Sequence, residues 1–438
     1  MLVEHEGRPL LVTKGALGRV LEVCTRARAP DGALVPLEQV RAQVDALHAR
    51  LAADGLRTLG VATRALEAPG PIDPGVEREL VFLGVLAFFD PPRPGIAETL
   101  GRLRGLGIAV VLVTGDDRRV AASVAARVGL GEGRLLTGAE LRLMSDEALR
   151  QQSRGVQVFA EVEPNQKERI ILALRRAGAV VGYLGDGIND APALHAADVG
   201  ISVAGAVDVA RQSADIVLLE PDLRVLEAGV RQGRRTFVNT LKYVHITTSA
   251  NFGNMASMAV AALFLPFFPL LPKQILLNNL LSDAPAMAIA GDAVDPEQVE
   301  RPRRWDTRAI RDFMLLFGAI SSAFDLLTFL VLWAWGAGPG EFRSAWFLES
   351  LWTELLILMV MRTHRPFFQS RPSPALLGLT AGTALLSLAA VLGPLAPLFG
   401  FVTPSPRVLL SITLITLAYL AASELAKRRF FAPPPPLV

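Results

Sequence analysis

The residues best placed for chemistry in this chain are two carboxylates at one turn. Residues 185–190 read Gly185-Asp186-Gly187-Ile188-Asn189-Asp190, and Ala191-Pro192-Ala193-Leu194 follow. An apolar run, 179–184, delivers them to what reads as the C-terminal end of a parallel strand. Carboxylates at such a turn suit a magnesium ion that also holds a phosphoryl group. Mg²⁺ takes a few protein oxygens and leaves its other positions to water and phosphate. A surface turn built from Asp, Gly and Asn has the same composition, so the string gains its meaning from companions upstream.

Those companions also lie at strand ends. The run 110–116 closes on Thr114-Gly115-Asp116, where the Thr114 hydroxyl and the amides around Gly115 can donate to phosphate oxygens. The same tripeptide is a common helix cap. The run 156–162 leads into Glu163-Pro164-Asn165-Gln166-Lys167. Pro164 suits a first helical turn, and Lys167 brings a positive charge. The run 82–89 leaves through Asp90-Pro91-Pro92-Arg93, a rigid exit carrying an acid and a base. Helical stretches at 95–106, 118–128, 146–153, 167–177 and 191–197 separate the strands, and short strands at 199–203 and 216–219 follow. This alternation predicts a doubly wound parallel sheet with its site at the strand C-termini.

The ordered set of these motifs resembles the phosphorylation domain of P-type cation-transporting ATPases, a haloacid-dehalogenase-like fold. The resemblance implies ATP and Mg²⁺ as cofactors. It makes Thr114, Gly115, Asp116, Lys167 and Asn189 the catalytic set, with Thr114 and Lys167 on the phosphoryl group. Asp186 ligates the catalytic Mg²⁺, supported by Asn189 and Asp190. Upstream, Val12-Thr13-Lys14-Gly15-Ala16 and the stretch 55–62 around Arg57 are similar to the family's nucleotide-binding segments, which adds Lys14, Gly15, Arg57 and Arg93 as nucleotide contacts. The expected domains are 1–80, the C-terminal part of the nucleotide-binding domain; 81–232, the phosphorylation domain; and 233–430, a membrane domain of six helices.

The family's nucleophile is an Asp in an Asp-Lys-Thr-Gly-Thr string, which these residues do not contain. Its Thr-Gly-Glu loop and its first four membrane helices have no counterpart either. The chain therefore reads as the C-terminal half of a pump, inactive by itself. The alternatives are a truncated product, or one half of a split pump completed by the missing N-terminal half. A membrane-tethered phosphohydrolase would need Asp90 as its nucleophile, yet Asp90 runs into Pro91-Pro92, unlike a phosphate-cradling loop.

Composition agrees with a membrane protein carrying a soluble front. Hydrophobic residues are 51%, mean hydropathy is +0.38, and charges thin out after about residue 242. A net charge of +2 gives no case for nucleic acid as a partner. The single cysteine, Cys24, excludes an intrachain disulfide, and Met1–Arg8 lacks the apolar core of a signal peptide. Six stretches approach the ~20 apolar residues a bilayer requires: 243–265, 274–291, 313–335, 346–361, 375–399 and 408–426. Basic residues cluster at four places: Arg231, Arg234, Arg235 and Lys242; Arg301, Arg303, Arg304, Arg308 and Arg311; Arg362, Arg365 and Arg371; and Lys427, Arg428 and Arg429. The alternate loops are nearly free of Lys and Arg. The bias predicts a multi-pass cell-membrane protein with the catalytic domain and both termini cytoplasmic.

Polar groups inside apolar spans are costly and mark pathways. Asn251 and Asn254 lie in the first span, Asn278, Asn279, Ser282 and Asp283 in the second, Asp325 in the third, and Glu349 and Glu354 in the fourth. Pro285 can free a carbonyl for an ion. By resemblance, Asn251, Asn254, Asn279, Ser282 and Asp283 match positions where related pumps bind their cation, and Glu354 joins that set. Oxygen ligands suit a divalent cation such as Mg²⁺ or Ca²⁺. The strings 191–202, 251–254 and 299–306 look most like magnesium-transporting P-type ATPases, which implies Mg²⁺ import; Ca²⁺ or H⁺ is the alternative cargo.

Overall fold

The computed structural model of the protein describes every residue except 6, 67–75, 132, 221 and 432–438. The chain divides into two compact units, Met1–Ala228 and Gly229–Val438.

The first unit begins with β1 (Leu2–His5), β2 (Arg8–Ala16), β3 (Cys24–Arg28), β4 (Leu34–Pro36), β5 (Arg57–Ala65) and β6 (Leu80–Phe88), in the order β1-β2-β5-β6-β3-β4. Neighbours are antiparallel except β3 and β6. Leu11, Ala62, Leu80 and Phe82 point to one face, where α1 (Leu17–Glu22) adds Leu17, Val20 and Leu21 and α2 (Leu37–Ala53) adds Leu37. Each such large side chain stabilises by about 1.5–3 kcal/mol when fully buried. Gly15 pairs with Gly60. A Cβ on Gly60 would lie 3.1 Å from that of Val20, so the bare backbone lets α1 rest on the strand. The strand expected at 82–89 is β6, and it completes this sheet, because its apolar run pairs with β5 from Arg57↔Phe88 to Thr63↔Val81.

The other six strands are parallel. β7 (Leu112–Val113), β8 (Arg134–Thr137) and β9 (Val156–Ala160) form the order β7-β9-β8, and β10 (Gly182–Leu184), β11 (Val199–Val203) and β12 (Ile216–Leu218) form β10-β11-β12. Parallel neighbours need crossovers. α3 (Ile96–Gly105) precedes β7. Then α4 (Arg118–Arg127), α5 (Gly138–Leu143), α6 (Asp146–Gln152), α7 (Pro164–Arg176), α8 (Ala191–Ala196) and α9 (Asp208–Gln212) fill the intervals. Val158 and Ala160 of β9 pack with Leu100, Leu103 and Ala121, whereas Phe159 packs with Leu141, Leu149 and Ile170. The period of two thus places helices on both sides of β9. Where one continuous sheet is expected, two three-stranded halves appear. Among the described residues β7 and β10 are end strands with one partner each. Val180 and Leu184 beside that edge stay 77% and 42% exposed.

The second unit is helical: α10 (Leu223–Phe264), all but its first turns, then α11 (Pro272–Ala288), α12 (Pro296–Val299), α13 (Thr307–Ala334), α14 (Pro339–Met361), α15 (Pro374–Leu392), α16 (Ala396–Phe399) and α17 (Pro406–Phe430). Among the described residues four helices, α13, α14, α15 and α17, are long and apolar enough to cross a membrane. The spans expected at 243–265 and 274–291 correspond to α10 and α11, which fall short of that standard. α11 has 17 residues, about 26 Å of helix against a ~30 Å hydrocarbon core. α10 is diluted by Thr247, Thr248, Ser249, Asn251 and Asn254. α14 is the core helix: 78% of its apolar window is buried, against 22–39% for the other three. Trp346, Phe347, Leu348 and Leu351 fill the centre. α10 and α13 approach closely at Gly253 and Gly318, where a Cβ on Gly318 would meet Phe252 at 2.5 Å.

A buried ionic network ties the ends of these helices. Arg362, 1% exposed, donates from Nε to Asp292 at 2.8 Å and from its two other nitrogens to the carbonyls of Ser370 at 2.8 Å and Arg371 at 2.6 Å. Asp292 also accepts from the Ser373 amide at 2.8 Å. Asp295 accepts from Thr363 at 2.5 Å and Ser370 at 2.8 Å. Burial pushes the Asp295 carboxyl up, but these donors outweigh burial and hold it below the usual range.

Candidate functional site

In the first unit the site grows from the turn after β10. Gly185 has no side chain because Asp190 folds back over it; a Cβ there would lie 2.6 Å from that of Asp190. One Asp190 oxygen accepts from Lys167 Nζ and from the Tyr183 hydroxyl, both at 2.7 Å. The other accepts from the amides of Gly187 at 3.0 Å and Asp186 at 3.3 Å. Lys167 is aimed by α7, which starts at Pro164 behind a reciprocal cap between Glu163 and Gln166. Gln166 also donates to the Gly138 carbonyl at 2.9 Å, fixing the helix start.

Burial would push Asp190 up. The ammonium of Lys167, the Tyr183 hydroxyl and the Gly187 amide win, and the carboxyl is held below its ordinary range. Tyr183 is pushed up by burial and by its bond to the Asp190 carboxylate, so it stays a donor. Both oxygens of Asp190 are therefore committed to holding the turn and Lys167. Asp186 and Asn189 are exposed, and among the described residues no donor ties the Asp186 carboxylate. The turn presents one open carboxylate, an amide side chain beside it, and a buried ammonium–carboxylate pair behind. A hard divalent cation fits that donor set through Asp186, with water and phosphate completing it.

Thr114 follows β7, held by its amide on the Phe159 carbonyl at 2.9 Å and its carbonyl on the Val162 amide at 3.0 Å. Its hydroxyl donates to Asp116 at 2.8 Å and accepts from the Asp116 amide at 3.1 Å. Arg57 of β5 donates to the same Asp116 oxygen at 2.8 Å. That bond keeps the guanidinium firmly charged. The structure thus brings Arg57 onto the Thr114-Gly115-Asp116 motif, a link that sequence spacing gave no sign of. Lys14 and Gly15 lie on β2, opposite Val61 and Gly60 of β5; Lys14 is exposed, and so is Arg93 beyond β6. Among the described residues no hydrogen bond joins the Arg57–Asp116 and Lys167–Asp190 pairs.

In the helical unit, Glu354 of α14 gathers amides. Asn254 donates to one oxygen at 3.5 Å and Asn278 to the other at 3.3 Å. Ser350 donates to Asn254 at 3.3 Å, and Ser282 also lies against Glu354. A cavity of ≈ 10 Å³ opens here, lined by Ser249, Asn254, Ser321, Thr353, Glu354 and Tyr419. That is about the space of a single water or ion. Asn251, Asn279 and Asp283 lie on exposed faces of α10 and α11, outside this cluster. Ser350 and Glu354 are one helical turn apart and so share a face; that spacing was the available signal for Ser350. Asn278 rather than its neighbour Asn279 turns inward, a choice that depends on the rotation of α11.

The family model described as "Cation transporting ATPase, C-terminus" matches residues 267–429, and that of haloacid dehalogenase-like hydrolases matches 21–198. The chain is 44% identical over 404 residues to the "Magnesium-transporting ATPase, P-type 1" of Escherichia coli (strain K12), covering 90% of this chain and 45% of that protein. A protein of the same description from Salmonella typhimurium (strain 14028s / SGSC 2262) is 46% identical over 398 residues, 88% of this chain and 44% of its own. The "Calcium-transporting ATPase" of Bacillus subtilis (strain 168) is 28% identical over 449 residues, 98% of this chain and 50% of its own. The chain spans about half the length of the curated relatives it matches.

Proposed function

The chain belongs to the P-type cation-transporting ATPases, and from that premise we propose that it is the C-terminal part of an ATP-driven pump whose cargo is Mg²⁺. The observation that carries the reading is the turn at 185–190, where Asp186 stands open while Asp190, locked to Lys167, sets the geometry. Asp186 would hold the catalytic Mg²⁺, which neutralises charge on the transferring phosphoryl group. Lys167 and the Thr114 hydroxyl would bind the phosphoryl oxygens, and Lys14, Gly15, Arg57 and Arg93 would serve the nucleotide. Arg57 would exchange its Asp116 partner for ATP phosphate. The attacking carboxylate would come from a segment outside these 438 residues, on a strand added beside the open edges of β7 and β10. That addition would cover Val180 and Leu184 and unite the two half-sheets into one doubly wound sheet.

In the membrane, six crossings would use α10 and α11 together with the four apolar helices, with both termini cytoplasmic. The exposed amides and carboxylate of Asn251, Asn279 and Asp283 are unsuited to lipid. They would face further helices and complete the cation site with Asn254, Ser282 and Glu354. Mg²⁺ is favoured because the 44–46% identical relatives are magnesium-transporting ATPases, and Ca²⁺ is second because a calcium-transporting relative also aligns.

The test is ATP hydrolysis by this chain assembled with the upstream half. Cation-stimulated turnover is expected there and not with this chain alone. Asp186→Asn should lower it by about two to three orders of magnitude, since metal stabilisation supplies several kcal/mol. Unchanged turnover in Asp186→Asn would overturn the catalytic assignment. Stimulation by Ca²⁺ and not Mg²⁺ would overturn the cargo alone.

A further inference from the structure

Asp325 and Glu349 take no part in the cluster around Glu354, yet both lie inside the helical unit at 2% and 1% exposure. Asp325 sits mid-way along α13. One of its oxygens accepts from the Ser257 hydroxyl of α10 at 2.6 Å, and the other from the Trp346 indole of α14 at 2.7 Å. Three helices therefore converge on it. Glu349 is one turn along α14 from Trp346. Neither of its oxygens receives an N–H or O–H from any described residue. What it meets is the carboxyl of Asp325.

Two carboxylates in contact in a dry interior repel and leave the Glu349 oxygens unpaired, which is costly. A single proton removes both costs. As a neutral acid Glu349 becomes an O–H donor, and Asp325, already accepting from two neutral donors, is the matching anion. The reverse assignment fits poorly: a proton on Asp325 would have to compete with the Ser257 and Trp346 donors on its oxygens. A divalent cation is disfavoured because Asp325 has its oxygens occupied by donors, and among the described residues no third acidic, His or Cys side chain joins the pair. The other titratable groups that face it are acidic or neutral: Glu354 on α14 and Tyr419 on α17. α15 has none along its length, and α10 contributes Ser257 here. No described Lys or Arg bonds to either carboxyl.

We propose that Asp325 and Glu349 form a proton-binding site, one proton held as the Glu349 O–H donating to the Asp325 carboxylate, distinct from the Asn254, Asn278 and Glu354 cluster. Binding makes one O–H bond at Glu349 and breaks one in the hydronium ion that delivers the proton; release returns the proton to water and leaves two carboxylates that separate or hydrate. In a pump, movement between α13 and α14 would expose the pair and give the molecule a place to exchange a proton. The site itself does not depend on the pump reading.

Infrared spectroscopy of the purified full chain in lipid tests this without any transport assay. At neutral pH the unmodified chain should show the C=O stretch of a buried, protonated carboxylic acid that exchanges slowly with deuterium. Glu349→Gln should remove that component while preserving the unfolding temperature, because the Gln amide still donates to Asp325. Glu354→Gln serves as the background that removes any contribution of Glu354. A band unchanged by Glu349→Gln overturns the proposal. Should that variant not fold, carboxyl isotope labelling of glutamate in the Glu354→Gln chain makes the same reading. A shifted protonated-acid band supports the site, and its absence overturns it.

Discussion

Replacing Asp190 by Asn tests whether this residue, and not the more exposed Asp186, shapes the candidate active site. Asp190 accepts four donors on two oxygens: Lys167 and Tyr183 on one, the Gly187 and Asp186 amides on the other. Asn offers one acceptor oxygen and an NH₂. If the oxygen keeps Lys167 and Tyr183, the NH₂ opposes two backbone N–H groups; in the other rotamer it opposes the ammonium. Side-chain exposures of 16% and 10% for Lys167 and Asp190 leave little solvent screening. Losing one partner of this buried ion pair, with the hydrogen bonds that its charge strengthens, costs about 3–5 kcal/mol. At about 1.4 kcal/mol per factor of ten, local opening should rise by about two to four orders of magnitude. Amide hydrogen exchange over 183–191 reads this directly at Asp186 and Gly187. Exchange within about threefold of the unmodified chain would refute the reasoning. The pH dependence has a definite sign. The folded Asp190 carboxyl is held below its usual range, so its stabilisation is fully present above the unfolded pKa of about 4. Protection corrected for intrinsic rate should therefore fade only as pH drops below that value toward the lower folded one.

Two further outcomes follow from the helical unit. Arg362→Ala leaves Asp292, whose side chain is 0% exposed, with only the longer ion pair to Lys242 at 3.9 Å and orphans the carbonyls of Ser370 and Arg371; thermal unfolding in detergent should show a loss of about 3 kcal/mol, with Arg362→Lys recovering only part, and an unchanged midpoint would refute the network's role. For topology, cysteines at the exposed positions Gly338 and Thr403 should react with an impermeant thiol reagent from outside while one at Thr307 does not, and the reverse pattern would refute the orientation; Cys24, buried and pushed up to about 11 by burial, gives a quiet background.

What the sequence revealed follows from the range of the forces involved. Strand and helix positions in the parallel region were legible because apolar runs, the cap at Glu163–Gln166 and the glycine turn are local signals. Helix 118–128 and strand 199–203 appear as Arg118–Arg127 and Val199–Val203. Sheet membership was not legible for β6, since its partners are chosen by pairing over a distance. β8 carries too short a run, Arg134–Thr137, to announce itself. In the site, the proximity of Lys167 to the turn was readable from motif order, whereas the grip of Tyr183 on Asp190 depends on the β10 pleat. In the helices, the presence of polar groups was plain, but which of them face inward was not. Asn278 and Ser350 are in, and Asn251, Asn279 and Asp283 are on exposed faces, a matter of helix rotation that composition does not encode.

The basic clusters show how one residue type serves two stages. Lys242, Arg362 and Lys427 count among the charges that predict orientation, yet they are 7%, 1% and 0% exposed. Lys242 donates to Asn239 at 3.0 Å and to the Ala293 carbonyl at 3.1 Å; Lys427 pairs with Glu424 at 2.7 Å and donates to the Val360 carbonyl at 3.1 Å. Orientation is decided while the chain inserts, when every Lys and Arg near a span end still counts. Afterwards a buried cation must be partnered or shed its charge, and these three are partnered by carbonyls, an amide oxygen and carboxylates. Each cluster still keeps exposed members: Arg235 in the first, Arg304 and Arg308 in the second, Arg371 in the third, Arg428 and Arg429 in the fourth. The folded unit can therefore use three charges to hold its helix ends together while keeping the asymmetry on which the predicted orientation rests. Arg371 is the thinnest margin, because Arg365 beside it is already paired with Glu297 at 2.7 Å.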